Sequence, residues 1–218
     1  MKTLKFALLI ATVVFASCSK KDEEPQPVGP SLSYSETSFT TDFHDEGNSG
    51  LPTLNWNGEV GNISLSGSTE GLYINDDNGT VHWRKSLPLG KNIVTAVATN
   101  SIGQTTVTLE IENKFMGDFT GGYNSDPNST VVTKDITIDF KEDGSTTSTV
   151  TGVTGTGDWT IEGKTITTVL SFDGGTSFVT FQFDLTYNSQ KAELKGYWYN
   201  GSEAIEANIG GYMEVKLD

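Results

Sequence analysis

Beyond residue 30 the sequence predicts an all-β protein in two parts, a small sandwich followed by an antiparallel meander that forms a small barrel. Three observations carry this. Short runs rich in Thr, Val, Ile and aromatic residues alternate apolar and polar side chains, the period of a half-buried strand. No stretch past the leader repeats apolar residues at helical spacing. Turn motifs such as "DDNG" at 76–79, "KEDGS" at 141–145 and "DGGTS" at 173–177 punctuate the runs. The texture changes near Lys114, from short strands at sandwich spacing to longer hairpins, which divides residues 31–113 from residues 114–218.

The chain opens with Lys2 and Lys5 and continues as an apolar run over residues 6–16. That run is shorter than the about 20 residues a membrane-spanning helix needs. Behind a basic start it reads as a secretory signal peptide over residues 1–17. The only cysteine, Cys18, follows at once in "FASC". This tetrapeptide resembles the lipobox of bacterial lipoproteins, with Phe15 where that pattern prefers leucine. The resemblance implies that the Cys18 thiol takes a thioether-linked diacylglycerol and then becomes the mature N-terminus, palmitate being one acyl chain it would carry. A thiol suits this because its thiolate is the strong nucleophile among side chains. Two or more acyl chains at about 0.8 kcal/mol per buried methylene hold a protein durably on a membrane. With Cys18 consumed, no thiol is left for a disulfide, a zinc cluster or a nucleophile.

Lys20, Lys21, Asp22, Glu23 and Glu24 come next. They resemble the lysine-plus-acidic export signal of surface lipoproteins in the Bacteroidota, which implies an outer-membrane, cell-surface location. Residues 18–30 carry Pro25, Pro27 and Pro30 and no apolar pattern, so they read as a semi-rigid tether. With 28 acidic residues against 14 basic ones, two of which leave with the leader, the mature surface repels nucleic acid.

Within the sandwich, "LPTLNW", "NISLSGS", "GLYINDDNGTVHW", "NIVTAVATNS" and "QTTVTLEIEN" read as successive strands. Val94, Ala96 and Ala98 alternate with Thr95, Val97 and Thr99, so both faces are apolar and that strand is expected at the centre of its sheet. Val107, Leu109 and Ile111 return along one face. The segment 70–113 resembles the putative-immunoglobulin, cadherin-like modules of bacterial surface proteins in its Gly-Leu start, its Asx-rich turn ending in Gly and its strand pair around "AVATNSIG". Cadherins bind calcium through carboxylates, yet the spaced acidic motifs are missing around Asp76 and Asp77, so no metal is expected there. His82 beside Trp83 reads as packing.

In the meander, Ile136, Ile138 and Phe140 share one face. Trp159 and Ile161 pair across a hairpin with Ile166, Leu170 and Phe172, and Val179, Phe181, Phe183, Leu185 and Tyr187 line the next strand. "ITIDFKEDGS" and "GTGDWTIEGKTIT" resemble lipocalin-like and avidin-like barrels, which implies a barrel that is either filled or holds one small ligand. Trp198 faces opposite to Tyr197 and Tyr199, so one set points away from the core. If the tyrosines lie outside or at the mouth, Tyr197 and Tyr199, with Tyr123 and Tyr212, make a stacking platform for sugar rings; otherwise they fill the barrel and cover its edges.

No catalytic residue stands out. The two histidines, His44 and His82, sit in different contexts, and there is no nucleophile elbow or phosphate loop. Asp135 and Asp139 on one strand face would lie about 13 Å apart, outside the range of glycosidase carboxylate pairs. The expected function is therefore non-enzymatic and free of cofactor: a lipid-anchored surface protein whose barrel binds a glycan or a small apolar molecule, or, alternatively, a structural or protein-interaction subunit of an outer-membrane assembly.

Overall fold

The computed structural model describes residues 26–218; the leader, Cys18 and the charged stretch behind it lie outside the described residues. Nine strands, β1 (Ser31–Ser33), β2 (Ser38–Asp42), β3 (Gly47–Asn48), β4 (Thr53–Asn55), β5 (Asn62–Gly67), β6 (Leu72–Ile74), β7 (Val81–Trp83), β8 (Gly90–Thr99) and β9 (Gln104–Lys114), build the sandwich. Its larger sheet has the order β2-β9-β8-β5 and its smaller one β3-β7-β6, with β1 and β4 as a separate ribbon. The alternation in β8 places it centrally, with Val94, Ala96 and Ala98 buried between the sheets against Leu109 and Ile111 of β9. β6 and β7 form a hairpin whose turn is held by Asn75: its Oδ1 accepts the amides of Asp77 (2.9 Å) and Asn78 (3.2 Å). Asp76 and Asp77 belong to this turn.

The three earliest strands have no strong sequence signal. β2 reads "SFTTD" and borrows its order from β9, along which it runs parallel with Phe39 opposite Ile111. β3 has two residues, pairing Gly47 with Trp83 and Asn48 with His82.

The remaining strands are β10 (Gly117–Tyr123), β11 (Lys134–Phe140), β12 (Ser145–Val150), β13 (Val153–Glu162), β14 (Thr165–Phe172), β15 (Ser177–Tyr187), β16 (Ala192–Asn200) and β17 (Ile209–Leu217), with one 3-10 turn at Glu206–Asn208. They pair antiparallel in sequence order and close through β10 and β17 into an eight-stranded barrel. Closure abolishes the sheet edges that would otherwise invite aggregation. Every second residue points inward, so Ile136, Ile138, Phe140, Ile166, Leu170, Phe183, Leu185, Leu194 and Val215 make the core. Glycine lets the walls approach where the strand coils. A Cβ on Gly196 would lie 1.9 Å from the Gln182 carbonyl oxygen, and one on Gly157 1.8 Å from that of Val169.

The end of the barrel that begins at Gly117 meets the sandwich and is plugged by rings. Phe115 lies 5.3 Å from Phe140, 5.2 Å from Trp159 and 5.3 Å from Phe43 of the sandwich, which in turn meets Tyr187 edge-on at 5.1 Å. His44 Nε2 donates to the Asn188 carbonyl (2.8 Å), and the Tyr187 hydroxyl accepts the Leu89 amide (3.3 Å). The loop carrying Leu89 is clamped by buried Asn113, whose Nδ2 donates to the Leu87 carbonyl at 2.7 Å. Phe43 belongs to the barrel's own core, so the two parts share one apolar cluster.

Candidate functional site

The barrel's opposite end stays open. There the wall is built by residues from all eight strands, and a cavity of about 330 Å³ lies among Tyr123, Ile136, Val150, Phe172, Phe181 and Trp198. Val179 and Met213 complete an apolar lining, while Thr151 and Asp173 stand at the rim. Both rim residues adopt left-handed backbone (φ 48° and 52°) in the tight β12–β13 and β14–β15 turns. Such strain is tolerated where the surrounding structure over-determines it, and it concentrates at functional mouths.

Trp198 is the best-anchored wall residue. Its indole Nε1 donates to the Asn124 carbonyl at 2.8 Å. Asn124 is itself 3 % exposed: its Nδ2 donates to the carbonyls of Ser129 and Val131, and its Oδ1 accepts the Tyr212 amide. This one asparagine folds the 124–133 loop over the rim and aims the indole into the mouth. The next strand makes room for it, because a Cβ on Gly210 would lie 2.2 Å from the Trp198 ring. Beside the mouth the Lys134 ammonium lies 5.4 Å above the ring of its cross-strand partner Tyr123 and donates to Ser125 Oγ at 3.2 Å.

Two hydroxyls lie deeper in the lumen. Ser148 Oγ and Thr168 Oγ1 are buried and have no hydrogen-bond partner among the described residues. Ser148 sits one inward step below Val150 on β12, and Thr168 is the cross-strand partner of Phe181. A buried hydroxyl without a partner forfeits about 1–3 kcal/mol of hydrogen bonding that a ligand atom could restore.

The structure separates the four tyrosines. Tyr123 faces the lumen with Trp198. Tyr197, Tyr199 and Tyr212 come together on the outer wall, where Tyr197 and Tyr212 meet edge-on at 5.7 Å beside a shallow hollow of about 280 Å³ that Lys195 and Asp184 also line. Tyr199 is 8 % exposed there, and burial raises the phenol pKa of both Tyr199 and Tyr212. Cys18 lies outside the described residues.

Sequence reading did not isolate Trp198, Phe172 and Tyr123 as a single set. The alternation along each strand was readable, but which side faces the lumen, and their meeting at one end, follow from closure and from the stagger between strands.

No protein-family model matches the chain. No curated protein matches it either. Among solved structures it is similar to the crystal structure of the EC1-2 fragment of human protocadherin-24, at 13 % identity over 88 % of this chain and 96 % of that one, with a TM-score of 0.39. A superposition that loose assigns nothing; the two-part all-β architecture rests on the strand pairing itself.

Proposed function

We propose that the protein is a non-enzymatic, membrane-anchored binding protein whose barrel mouth takes a small, mainly apolar molecule. The observation that carries this is the open cavity of about 330 Å³, walled by aromatic and aliphatic side chains, in a barrel plugged with rings at its other end. Its volume is at the lower end of the range of small-ligand pockets. Apolar walls drive binding by burial, Thr151 and Asp173 give the rim a polar edge, and the deeper hydroxyls offer a polar contact to a ligand that reaches them.

The order of parts supports a directed display. The tether reaches the sandwich beside the β8–β9 turn, where Gly29 lies against Gly103 and its carbonyl accepts Asn57 Nδ2 at 2.6 Å. The barrel adjoins the opposite end of β8 and β9, and its mouth is farther still. A chain held by lipid on Cys18 would thus present the mouth away from the membrane, with the sandwich as spacer.

The test is a fluorescence titration of the mature protein with N-phenyl-1-naphthylamine, a neutral apolar probe. Saturable enhancement is expected, and Val179→Trp, which fills the mouth, should abolish it while Tyr197→Ala leaves it unchanged. Enhancement that survives Val179→Trp would sink the cavity reading. Glycan binding lost in Tyr197→Ala and Tyr212→Ala, with no effect of Val179→Trp, would move the site to the outer wall.

A further inference from the structure

The sequence contains a single arginine, Arg84, among 28 acidic residues, and among the described residues it shares with Lys134 and Lys164 a place over a tyrosine ring with no carboxylate in ion-pairing distance. Lys91, Lys114, Lys141, Lys191, Lys195 and Lys216 all stand within ion-pairing distance of carboxylates. Among the described residues Arg84 pairs with none. It lies instead on the outer face of the smaller sandwich sheet, its backbone amide bonded to the Gly71 carbonyl (2.9 Å) and its guanidinium 4.7 Å above the ring of Tyr73. Tyr73 is 41 % exposed and stacks on its cross-strand partner His82 at 4.8 Å and 8° between planes. His82 in turn pairs with Asn48 of β3. Three strands therefore set an amide, an imidazole and a phenol in one row, with the guanidinium at its end.

This row borders a groove of about 470 Å³ that also takes in Glu46 and, from the barrel, Ser189. Glu46 and Arg84 share the groove without forming an ion pair, so both keep their hydrogen-bonding capacity for a third party. Asn48 Oδ1 accepts the Gly50 amide (2.9 Å), which leaves its Nδ2 protons as donors. Beneath them, Trp83 is 7 % exposed and its Nε1–H is buried with no acceptor among the described residues, although the ring lines the same groove. Buried indole N–H groups ordinarily find an acceptor.

We infer that this groove is a second binding site and that it takes a carboxylate-bearing sugar, a hexuronate unit. The chemistry is complementary piece by piece. A planar guanidinium fork donates two parallel hydrogen bonds to a carboxylate, which a lysine cannot match. Asn48 and His82 can donate to ring hydroxyls, Glu46 can accept from them, and the exposed edge of Tyr73, whose ring faces carry His82 and Arg84, can pack against a pyranose. A neutral sugar would leave Arg84 unpaired in a groove bordered by a carboxylate, and a bare anion would leave the remaining groups unused. The site is separate from the barrel mouth and stands whether or not the mouth binds anything.

Isothermal titration of the mature chain with methyl β-D-glucuronide, methyl β-D-glucoside and acetate decides it, with the His82 ring resonances followed by NMR in parallel. The glucuronide should bind saturably and shift the His82 signals, with the glucoside and acetate each about tenfold weaker. Arg84→Gln should lose about tenfold in glucuronide affinity, Arg84→Lys should fall between the two, and Tyr73→Ala should weaken binding of both sugars. All these side chains are on the surface, so the melting temperatures of the variants should match the parent. Val179→Trp should bind the glucuronide unchanged. The inference is overturned if no saturable binding develops up to about 10 mM glucuronide, if glucoside binds as well as glucuronide, or if Arg84→Gln binds as the parent does.

Discussion

Glu193 shows how much one outward-facing residue can be enclosed by its neighbours. Its side chain is 7 % exposed although it lies on the outer wall of the barrel, because Lys191 (2.9 Å), Lys195 (3.6 Å) and Lys216 (3.7 Å) close over it. The hydrogen bond from Lys191, aided by the charges of Lys195 and Lys216, holds its carboxyl below the ordinary carboxylate range. A carboxyl whose pKa is lower folded than unfolded stabilises the protein above the unfolded value, about 4.3. That contribution fades as pH falls through the lower folded value. Glu193→Gln is therefore expected to melt about 2–4 °C below the parent at pH 7. The gap should close progressively once pH drops below about 4. Melting curves across pH check it, and a gap that stays constant down to acid pH would show that the lysine cage contributes nothing through charge. Exposed lysines make such a network salt-sensitive, so the gap should also narrow in high salt.

At the scale of the strand, the barrel depends on where side chains are missing. Gly196 stands between Leu194 and Trp198 on the inward face of β16, and its strand lies so close to β15 that a Cβ would overlap the Gln182 carbonyl. No rotation of a side chain relieves a clash with backbone, so Gly196→Ala must push β16 from β15 and loosen the wall behind Trp198. The expected cost is about 2–3 kcal/mol, seen as a lower urea midpoint. A glycine lining an open wall would instead tolerate alanine with little change, so an unaltered midpoint would refute the close-approach account. The strands themselves were legible in the sequence wherever one face was largely apolar: β11, β14 and β15 are read from Ile136 to Phe140, Ile166 to Phe172 and Val179 to Tyr187. β1, β2 and β3 were not. They are short and rich in Ser, Thr and Gly, and they acquire strand order by pairing with β4, β9 and β7, partners as much as 72 residues away in the register of Phe39 with Ile111. Nothing local in "SFTTD" announces a parallel partner.

At the scale of the whole molecule, the described parts lie in line: the sandwich, the ring-plugged base of the barrel and its open mouth. Phe43 and His44 make the join stiff, because the first buries its ring in the barrel core and the second bonds to the Asn188 carbonyl from a left-handed backbone (φ 64°). If the lipid on Cys18 holds this stack at a membrane, Cys18→Ser should shift the protein from the membrane fraction to the soluble fraction while the folded part melts unchanged. Oxygen in place of sulfur cannot form the thioether, so an unaltered partition would remove the anchor from the proposal. The same linear order puts the Arg84 groove at the flank of the sandwich–barrel junction, distinct from the mouth at the far end.

By itself the sequence determined the class of structure and the two alternating faces of each strong strand, because a two-residue alternation is a local property of extended chain. It could state that Trp198 opposes Tyr197 and Tyr199 but not which of them faces the lumen. Closure of β10 onto β17 decided that, turning Trp198 and Tyr123 inward and leaving Tyr197, Tyr199 and Tyr212 on the outer wall. The meeting of Asn48, Tyr73, His82 and Arg84 was decided in the same way, by pairing between strands distant in sequence. Which side chains meet depends on register and closure, and these are set by the packing of the folded chain as a whole.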